Sequence, residues 1–125
     1  MTSSPRSARV LLIDDDPELS SILEIVLSPR AEITVALNWT DAKVRLQNQK
    51  FDLIILDLYL PDATLLEPIE HIHELDPDYP VVMISGNFDF NDNLIDRAMR
   101  LGINCFISKP FKLEELEAKL TEYLP

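Results

Sequence analysis

FDLIILDLYLPD, at residues 51–62, contains the apolar run Leu53-Ile54-Ile55-Leu56, which ends at Asp57. A strand with one solvent-exposed face alternates apolar and polar side chains, whereas a run that is apolar throughout is typical of a strand buried on both faces. Parallel sheets contain such strands because their crossover helices cover both faces. This stretch therefore predicts a central strand of a parallel sheet, with Asp57 at its carboxyl end.

Four further short runs flank it along the chain: Val10-Leu11-Leu12-Ile13, Ile33-Thr34-Val35, Val81-Val82-Met83-Ile84 and Cys105-Phe106-Ile107. The stretches between the runs carry apolar residues at helical spacing. Asp16 and Pro17 are typical of a helix start, and Gly102 is typical of a helix end. The order βαβαβαβαβα predicts an α/β fold whose parallel sheet has helices on both faces.

The composition excludes several classes of function. The 125 residues suggest one domain, and 22 acidic against 11 basic residues give a net charge of −11. This charge repels phosphate backbones, so we expect no direct nucleic-acid binding, whereas it suits divalent cations, basic partner surfaces and solubility. Two glycines and one cysteine exclude a glycine-rich phosphate loop, an intramolecular disulfide and a CxxC metal clip.

The N-terminal residues and the lengths of the apolar runs indicate where in the cell the protein is expected. Residues 1–9 contain no apolar run of the kind that a signal peptide needs, and the longest runs elsewhere are too short to span a bilayer. We therefore expect a cytoplasmic protein without membrane insertion. Residues 1–8 are predicted to be a disordered tail and residues 9–124 to be the domain.

Charged and polar side chains follow four of the predicted strands: Asp14, Asp15 and Asp16 after the first, Asp57 after the third, Ser85 and Gly86 after the fourth, and Lys109 and Pro110 after the fifth. Any one of these signals alone is typical of a cap or a turn. Open parallel sheets, however, form their sites where the carboxyl ends of the strands meet. The four strand ends together therefore predict one functional site.

The chemistry of this set favours phosphoryl transfer. Asp14, Asp15 and Asp57 repel one another unless positive charge compensates them, which Lys109 and a hard divalent cation, Mg²⁺ or Mn²⁺, would supply. A carboxylate beside such charges is a suitable nucleophile for a phosphoryl group. Ser85 would donate a hydrogen bond to a phosphoryl oxygen, and Gly86 would leave room for the group.

The sequence resembles the receiver domain of two-component response regulators. The matching motifs are VLLIDDDP at 10–17, FDLIILDLYLPD at 51–62, VVMISG at 81–86, AMRLG at 98–102 and CFISKPF at 105–111. The resemblance extends from about residue 8 to residue 123. It implies a flavodoxin-like, doubly wound five-stranded parallel sheet with strand order 2-1-3-4-5.

The resemblance also implies roles for individual residues. Asp57 would be the phosphoacceptor, Asp15 a direct Mg²⁺ ligand, and Asp14 a ligand acting through water. The backbone carbonyl of Tyr59 would complete the protein ligands.

Ser85 would be the switch hydroxyl and Phe106 the switch aromatic, while Lys109 would stand where the family has its lysine, joined to Pro110 by a cis peptide.

Three residues depart from the family pattern. Leu65 stands where the family usually has glycine, so we expect the loop after the phosphoacceptor to follow another path. Phe106 stands where the family often has a tyrosine, and it lacks the hydroxyl of that residue. Tyr59 is bulky, and we expect its ring, together with Asn87, to overlook the site and slow the loss of phosphate. The alternative is that the Tyr59 ring points outward to partners and leaves this rate unchanged. Elsewhere, Trp39 is predicted to be a packing or surface residue rather than a ligand stack. His71 and His73, which lie two apart and face different sides of the third helix, are predicted to be surface residues rather than metal ligands.

By this resemblance, a histidine kinase or histidine phosphotransfer protein donates the phosphoryl group to Asp57. The face formed by the fourth helix, fifth strand and fifth helix then changes its preference for an effector domain, a partner protein or a second copy in a homodimer. The domain would catalyse only its own phosphorylation and dephosphorylation. One alternative is an interaction module that works without phosphorylation; another is a Mg²⁺-dependent phosphohydrolase, although Tyr59 stands where that class has a second aspartate.

Overall fold

One sheet of five parallel strands runs through the computed structural model, which describes residues 7–64, 66–86 and 92–125. The strands are β1 (Ala8–Ile13), β2 (Ala31–Ala36), β3 (Leu53–Asp57), β4 (Val81–Ser85) and β5 (Cys105–Ser108). Their spatial order is β2-β1-β3-β4-β5, which confirms the predicted strand order 2-1-3-4-5.

Five helices connect and follow the strands: α1 (Pro17–Leu27), α2 (Trp39–Asn48), α3 (Glu67–Leu75), α4 (Asp92–Arg100) and α5 (Leu113–Thr121). The first starts as predicted, with Pro17 in its first turn and the Asp16 side chain accepting a hydrogen bond from the Glu18 amide. β1 begins at Ala8, the last residue of the predicted tail, and residues 1–6 lie outside the described part of the chain. None of the helices in the described residues is long and apolar enough to cross a membrane.

The apolar strands bury both of their faces, as their composition predicts. Alternate residues of β1 and β3 enter opposite halves of the core: Leu11 and Ile54 pack beneath α2, α3 and α4, and Leu12 and Ile55 pack beneath α1 and α5. β2 lies at the edge of the sheet and is only partly buried, which explains its mixed composition.

The register of the strands determines which side chains meet at the carboxyl edge. Ile13 pairs with Leu56, so Asp14 and Asp57 follow at neighbouring levels of two adjacent strands. On the other side of β3, Asp57 itself pairs with Ile84, which precedes Ser85. Consecutive strand ends therefore bring the predicted site residues to one edge.

His73 and Gly102 connect α3 to the end of α4. The ring nitrogens of His73 lie 2.9 Å from the Leu101 carbonyl oxygen and 3.0 Å from the Tyr79 carbonyl oxygen, so the prediction of a solvent-facing histidine is wrong. Gly102 has a φ of +113°, as expected of a glycine that ends a helix, and a Cβ at this position would lie 2.8 Å from His73 Cε1. Gly102 is therefore required both for its backbone conformation and for the space it leaves.

We expect Gly102→Ala to lower the free energy of unfolding by about 1–3 kcal/mol, since alanine would meet both a strained φ and a steric overlap. Urea denaturation followed by circular dichroism measures this loss. Gly86→Ala is the comparison, because Gly86 does not have a left-handed φ and its Cβ would lie 3.1 Å from the nearest atom, Lys109 Cβ, so a smaller loss is expected there. An equal loss in the two variants would contradict the explanation.

Candidate functional site

Three carboxylates form the centre of the carboxyl edge. Asp14, Asp15 and Asp57 each offer an oxygen, and these oxygens lie within 4.8 Å of one another. Asp14 is buried, Asp57 is half-buried, and Asp15 is exposed to solvent. A partly open cluster of oxygen ligands matches the preference of Mg²⁺, which keeps several waters and takes one or two carboxylates from the protein. The predicted acidic residues therefore fit a hard divalent cation.

Lys109 provides the positive charge beside this cluster. Its Nζ lies 3.5 Å from Asp14 Oδ2 and 3.8 Å from Asp16 Oδ2, and its backbone amide donates to the Ser85 carbonyl at 2.9 Å. The peptide between Lys109 and Pro110 is cis, as the resemblance implies. Sequence reasoning assigned Asp16 to capping alone and missed its contact with the lysine.

Gly86 makes room for the lysine rather than directly for a ligand. A Cβ on Gly86 would lie 3.1 Å from Lys109 Cβ and 3.4 Å from Lys109 Cδ. The absent side chain therefore lets the aliphatic part of Lys109 pass beside the end of β4 towards Asp14. The room that Gly86 is predicted to leave for a phosphoryl group stays a prediction, because the atoms nearest to this position belong to the lysine stem.

Burial and mutual repulsion make it costly to ionise the site fully. Desolvation raises the pKa of Asp14, while the Asp16 amide and Lys109 act in the opposite direction. Desolvation and then the charge of Asp14 raise the pKa of Asp57 to about 6, against weaker opposing effects of the Tyr59 amide and Lys109. One ammonium thus does not fully compensate the carboxylates, and the site favours additional positive charge.

The other predicted residues that the structure describes lie in β4, in β5 and in the loop after β3. Ser85 is buried at the end of β4, and Phe106 is half-buried against the core beneath α2, α3 and α4. The Tyr59 amide donates to Asp57 Oδ1 at 3.3 Å, and the Tyr59 side chain is exposed. Leu65 and Asn87 lie outside the described residues, so the expectations for them stay predictions.

Sequence reasoning missed Asp62 in the loop after β3. Its Oδ1 accepts from the Trp39 amide at 2.7 Å, and its Oδ2 accepts from the Thr40 amide at 2.9 Å and the Thr40 hydroxyl at 2.7 Å. These bonds, with the Thr40 hydroxyl first, lower the pKa of Asp62. Nothing in the local pattern reveals them, since a Pro-Asp pair after a strand is an ordinary turn signal.

The raised pKa of Asp57 predicts a pH-dependent cost in stability when no divalent metal is bound. Between about pH 4 and pH 6 the folded protein retains a proton that the unfolded chain releases, so the Asp57 carboxyl destabilises the fold increasingly as pH rises through this window. We expect Asp57→Asn to raise the free energy of unfolding at pH 7.5 by about 1–2 kcal/mol, allowing for solvent screening at a half-buried group.

Urea denaturation with a chelator present, repeated from pH 4 to pH 8, measures this difference. The gain should shrink towards zero near pH 4, where the carboxyl is protonated in the folded protein. A gain that grows as the pH falls would contradict the assignment.

Comparison with known proteins identifies the family. Residues 10–121 match the response regulator receiver domain. The chain is 33% identical over 114 residues to the transcriptional regulatory protein KdpE of Staphylococcus aureus, covering 90% of this chain and 48% of that protein. It is 32% identical over 109 residues to the response regulator protein PilR of Pseudomonas aeruginosa, covering 86% of this chain and 24% of that protein. The chain thus spans half or less of the length of these relatives.

Solved structures agree with the sequence matches. A CheY-like response regulator receiver domain protein from Methanospirillum hungatei superposes with a TM-score of 0.84 at 26% identity, covering 94% of this chain and 93% of that one. NtrX from Brucella abortus superposes with a TM-score of 0.83 at 29% identity, covering 95% of this chain and 27% of that one. Together with the family match over residues 10–121, these similarities show that the chain belongs to the response regulator receiver domains of two-component systems.

Proposed function

We propose that this receiver domain accepts a phosphoryl group on Asp57 in a reaction that depends on Mg²⁺ or Mn²⁺. The observation that carries the proposal is the convergence of Asp14, Asp15, Asp57 and Lys109 at one edge of the sheet, with carboxylate oxygens within 4.8 Å and the ammonium 3.5 Å from Asp14. The donor would be a phosphohistidine on a histidine kinase or a histidine phosphotransfer protein.

The transfer exchanges one bond to phosphorus for another. An Asp57 carboxylate oxygen forms a bond to phosphorus while the bond between phosphorus and the donor's imidazole nitrogen breaks, and the electron pair of that bond returns to the imidazole. Asp14, Asp15, Asp57 and the Tyr59 carbonyl would hold the cation, which when bound would neutralise charge on the phosphoryl oxygens. Hydrolysis would end the signal: water attacks phosphorus, the bond between phosphorus and the Asp57 oxygen breaks, and inorganic phosphate and the Asp57 carboxylate are released.

Lys109 and Ser85 would bind the transferred group. The contacts from Asp14 and Asp16 keep the Lys109 ammonium at the edge of the sheet, where it can pair with a phosphoryl oxygen. The Ser85 hydroxyl, at the adjacent strand end, would donate to another oxygen after transfer. The exposed Tyr59 ring would shade the approach of water and slow hydrolysis.

A cleft beside Lys109 offers the donor a place to approach. It has a volume of about 350 Å³, and its lining includes Leu19 and Ile22 of α1 and Pro110 and Phe111 after β5. Apolar walls next to a charged edge suit a helix that presents a phosphohistidine, since the helix can bury apolar side chains while its phosphoryl group reaches the carboxylates.

The output of the domain would come from the face formed by α4, β5 and α5. When the Ser85 hydroxyl donates to a phosphoryl oxygen, the Phe106 ring would move further into the core, and this movement would alter the face. Met99 and Leu113 are large apolar side chains exposed on α4 and α5, which suits docking of an effector domain, a partner protein or a second copy. The same proposal includes a cytoplasmic location and no direct contact with nucleic acid.

Incubation with phosphoramidate and Mg²⁺, followed by intact mass spectrometry, tests the proposal. We expect the wild-type protein to gain the mass of one phosphoryl group and Asp57→Asn to gain none, because the amide is not nucleophilic. Asp78→Asn, in an exposed turn before β4, is the control and should be labelled like the wild type. Full labelling of Asp57→Asn would overturn the assignment, and an unlabelled wild type would favour an interaction module that works without phosphorylation.

Mg²⁺ should also stabilise the fold, because it relieves repulsion among Asp14, Asp15 and Asp57 and binds the folded state alone. At about 100 times its dissociation constant, the gain in the free energy of unfolding would be about 2.7 kcal/mol. Asp15→Asn should reduce this gain more than Asp14→Asn does if Asp15 is the direct ligand. Thermal melts at increasing Mg²⁺ measure the effect, and a melting temperature that millimolar Mg²⁺ does not move would contradict the site.

A further inference from the structure

We propose that Asp62 is a positioning residue for the loop that carries the metal ligands, because its carboxylate fastens that loop to the first turn of α2. The inference rests on the proposed function, since it concerns how the backbone around Asp57 and Tyr59 is held for Mg²⁺. Asp62 follows Tyr59 by three residues in the chain, and it is not itself in the carboxylate cluster.

The attachment is specific and charged. Both oxygens of Asp62 accept hydrogen bonds, and among the described residues three such bonds come from Trp39 and Thr40, at 2.7 to 2.9 Å. Hydrogen bonds to an ionised acceptor are roughly twice as strong as neutral ones, and the amides at a helix N-terminus also carry the positive end of the helix dipole. The lowered pKa of Asp62 keeps its carboxyl ionised at neutral pH, so the attachment persists there.

Asp62 differs from an ordinary N-cap because α2 already has one. The helix has its own N-cap, because the Asn38 side chain accepts from the Asp41 amide at 2.8 Å. The Ala42 amide makes the first bond within the helix, to the Asn38 carbonyl. Asp62 takes the two amides that remain, at Trp39 and Thr40. The helix thus combines a local cap with a second acceptor supplied by the loop.

The first turn of α3, which follows this loop in the chain, is bonded to the same residue of α2. Trp39 is 1% exposed, and its indole Nε1 donates to Glu67 Oε1, in the first turn of α3, at 3.1 Å. The Trp39 ring also meets the His71 ring edge-on, with centroids 5.4 Å apart. Trp39 is therefore bonded through its backbone amide to Asp62 in the loop and through its indole to Glu67 in α3.

These attachments restrict the backbone that would present the Tyr59 carbonyl. On one side of Tyr59, its amide donates to Asp57 Oδ1 at 3.3 Å, and on the other side Leu60 is buried in the core. Asp62 then fixes the loop to a separate helix. Residues that orient a metal ligand without touching the metal typically change its affinity about 10- to 100-fold when they are removed. Asp62 would act in this way on the Tyr59 carbonyl.

The test compares Asp62→Ala with Asn38→Ala, which removes the helix's own cap but leaves the loop attached. Both variants should lower the melting temperature, since each leaves α2 amides without acceptors. Titration calorimetry should show Mg²⁺ bound about tenfold more weakly by Asp62→Ala and with wild-type affinity by Asn38→Ala. Phosphoryl uptake by Asp62→Ala should be slow at low Mg²⁺ and approach the wild-type rate when Mg²⁺ is saturating.

Trp39 gives a readout that does not depend on the metal. It is the only tryptophan in the chain. Release of the loop should therefore shift the fluorescence emission of metal-free Asp62→Ala to longer wavelength, while Asn38→Ala keeps the wild-type spectrum. Should Asp62→Ala fail to fold, Thr40→Val removes one of the three bonds and Thr40→Ser retains it, so weaker Mg²⁺ binding in the valine variant alone would support the proposal.

Two results would overturn the inference: wild-type Mg²⁺ affinity in folded Asp62→Ala, or an equal loss of affinity in Asn38→Ala, which would reduce the effect to the stability of α2. The wild-type protein decides the proposed function separately. A wild-type protein that neither binds Mg²⁺ nor takes up a phosphoryl group would overturn both, whereas normal wild-type behaviour with an unaffected Asp62→Ala would overturn the positioning role alone.

Discussion

Repulsion between Asp14 and Asp57 is the constraint on which the site depends. The strand register brings the two carboxyl groups together at an edge where one is buried and the other half-buried, and burial favours their neutral forms. Lys109 offsets part of the negative charge, and its stem can reach Asp14 because position 86 has no side chain. The protein thus maintains a site in which negative charge exceeds positive charge, and such a site favours the binding of a cation.

The sheet supplies the rigidity that this arrangement needs. Repelling groups would move apart on a flexible support, but Asp14 and Asp57 directly follow strand residues buried on both sides of the sheet. Displacing either end of these strands would disturb packing beneath all the helices, since the two halves of the core meet across β1 and β3. The electrostatic strain at the edge is therefore balanced by hydrophobic packing below it.

The loop after Asp57 is held from outside the sheet as well. Asp62 connects it to Trp39 and Thr40, so α2 supports the loop in addition to covering the core. Glu67 of α3 accepts a hydrogen bond from the Trp39 indole. His73 forms a comparable connection between α3 and the end of α4. Helices that lie side by side on one face of the sheet are thereby joined through polar contacts near their ends. The proposed function requires a well-ordered site, and these contacts help to order it.

Local pattern was sufficient to predict the strands, their parallel arrangement, the start of α1 and the glycine that ends α4. Each depends on side chains close together in the chain: an unbroken apolar run, Asp16 before Pro17, and Gly102 after a helical stripe. The meeting of Asp14, Asp15, Asp57 and Lys109 could also be predicted, because the carboxyl ends of parallel strands must share an edge, and because the motifs resemble those of receiver domains.

Tertiary structure alone decided the contacts between residues far apart in sequence. Asp62 binds residues 22 and 23 positions earlier, and Lys109 reaches Asp16 as well as Asp14. His73 lies in a helix with no pattern that distinguishes a surface histidine from one bonded to the end of another helix. Such contacts leave no periodicity in the sequence, because a hydrogen bond requires only that two groups meet, and only the packed sheet and helices determine which groups do.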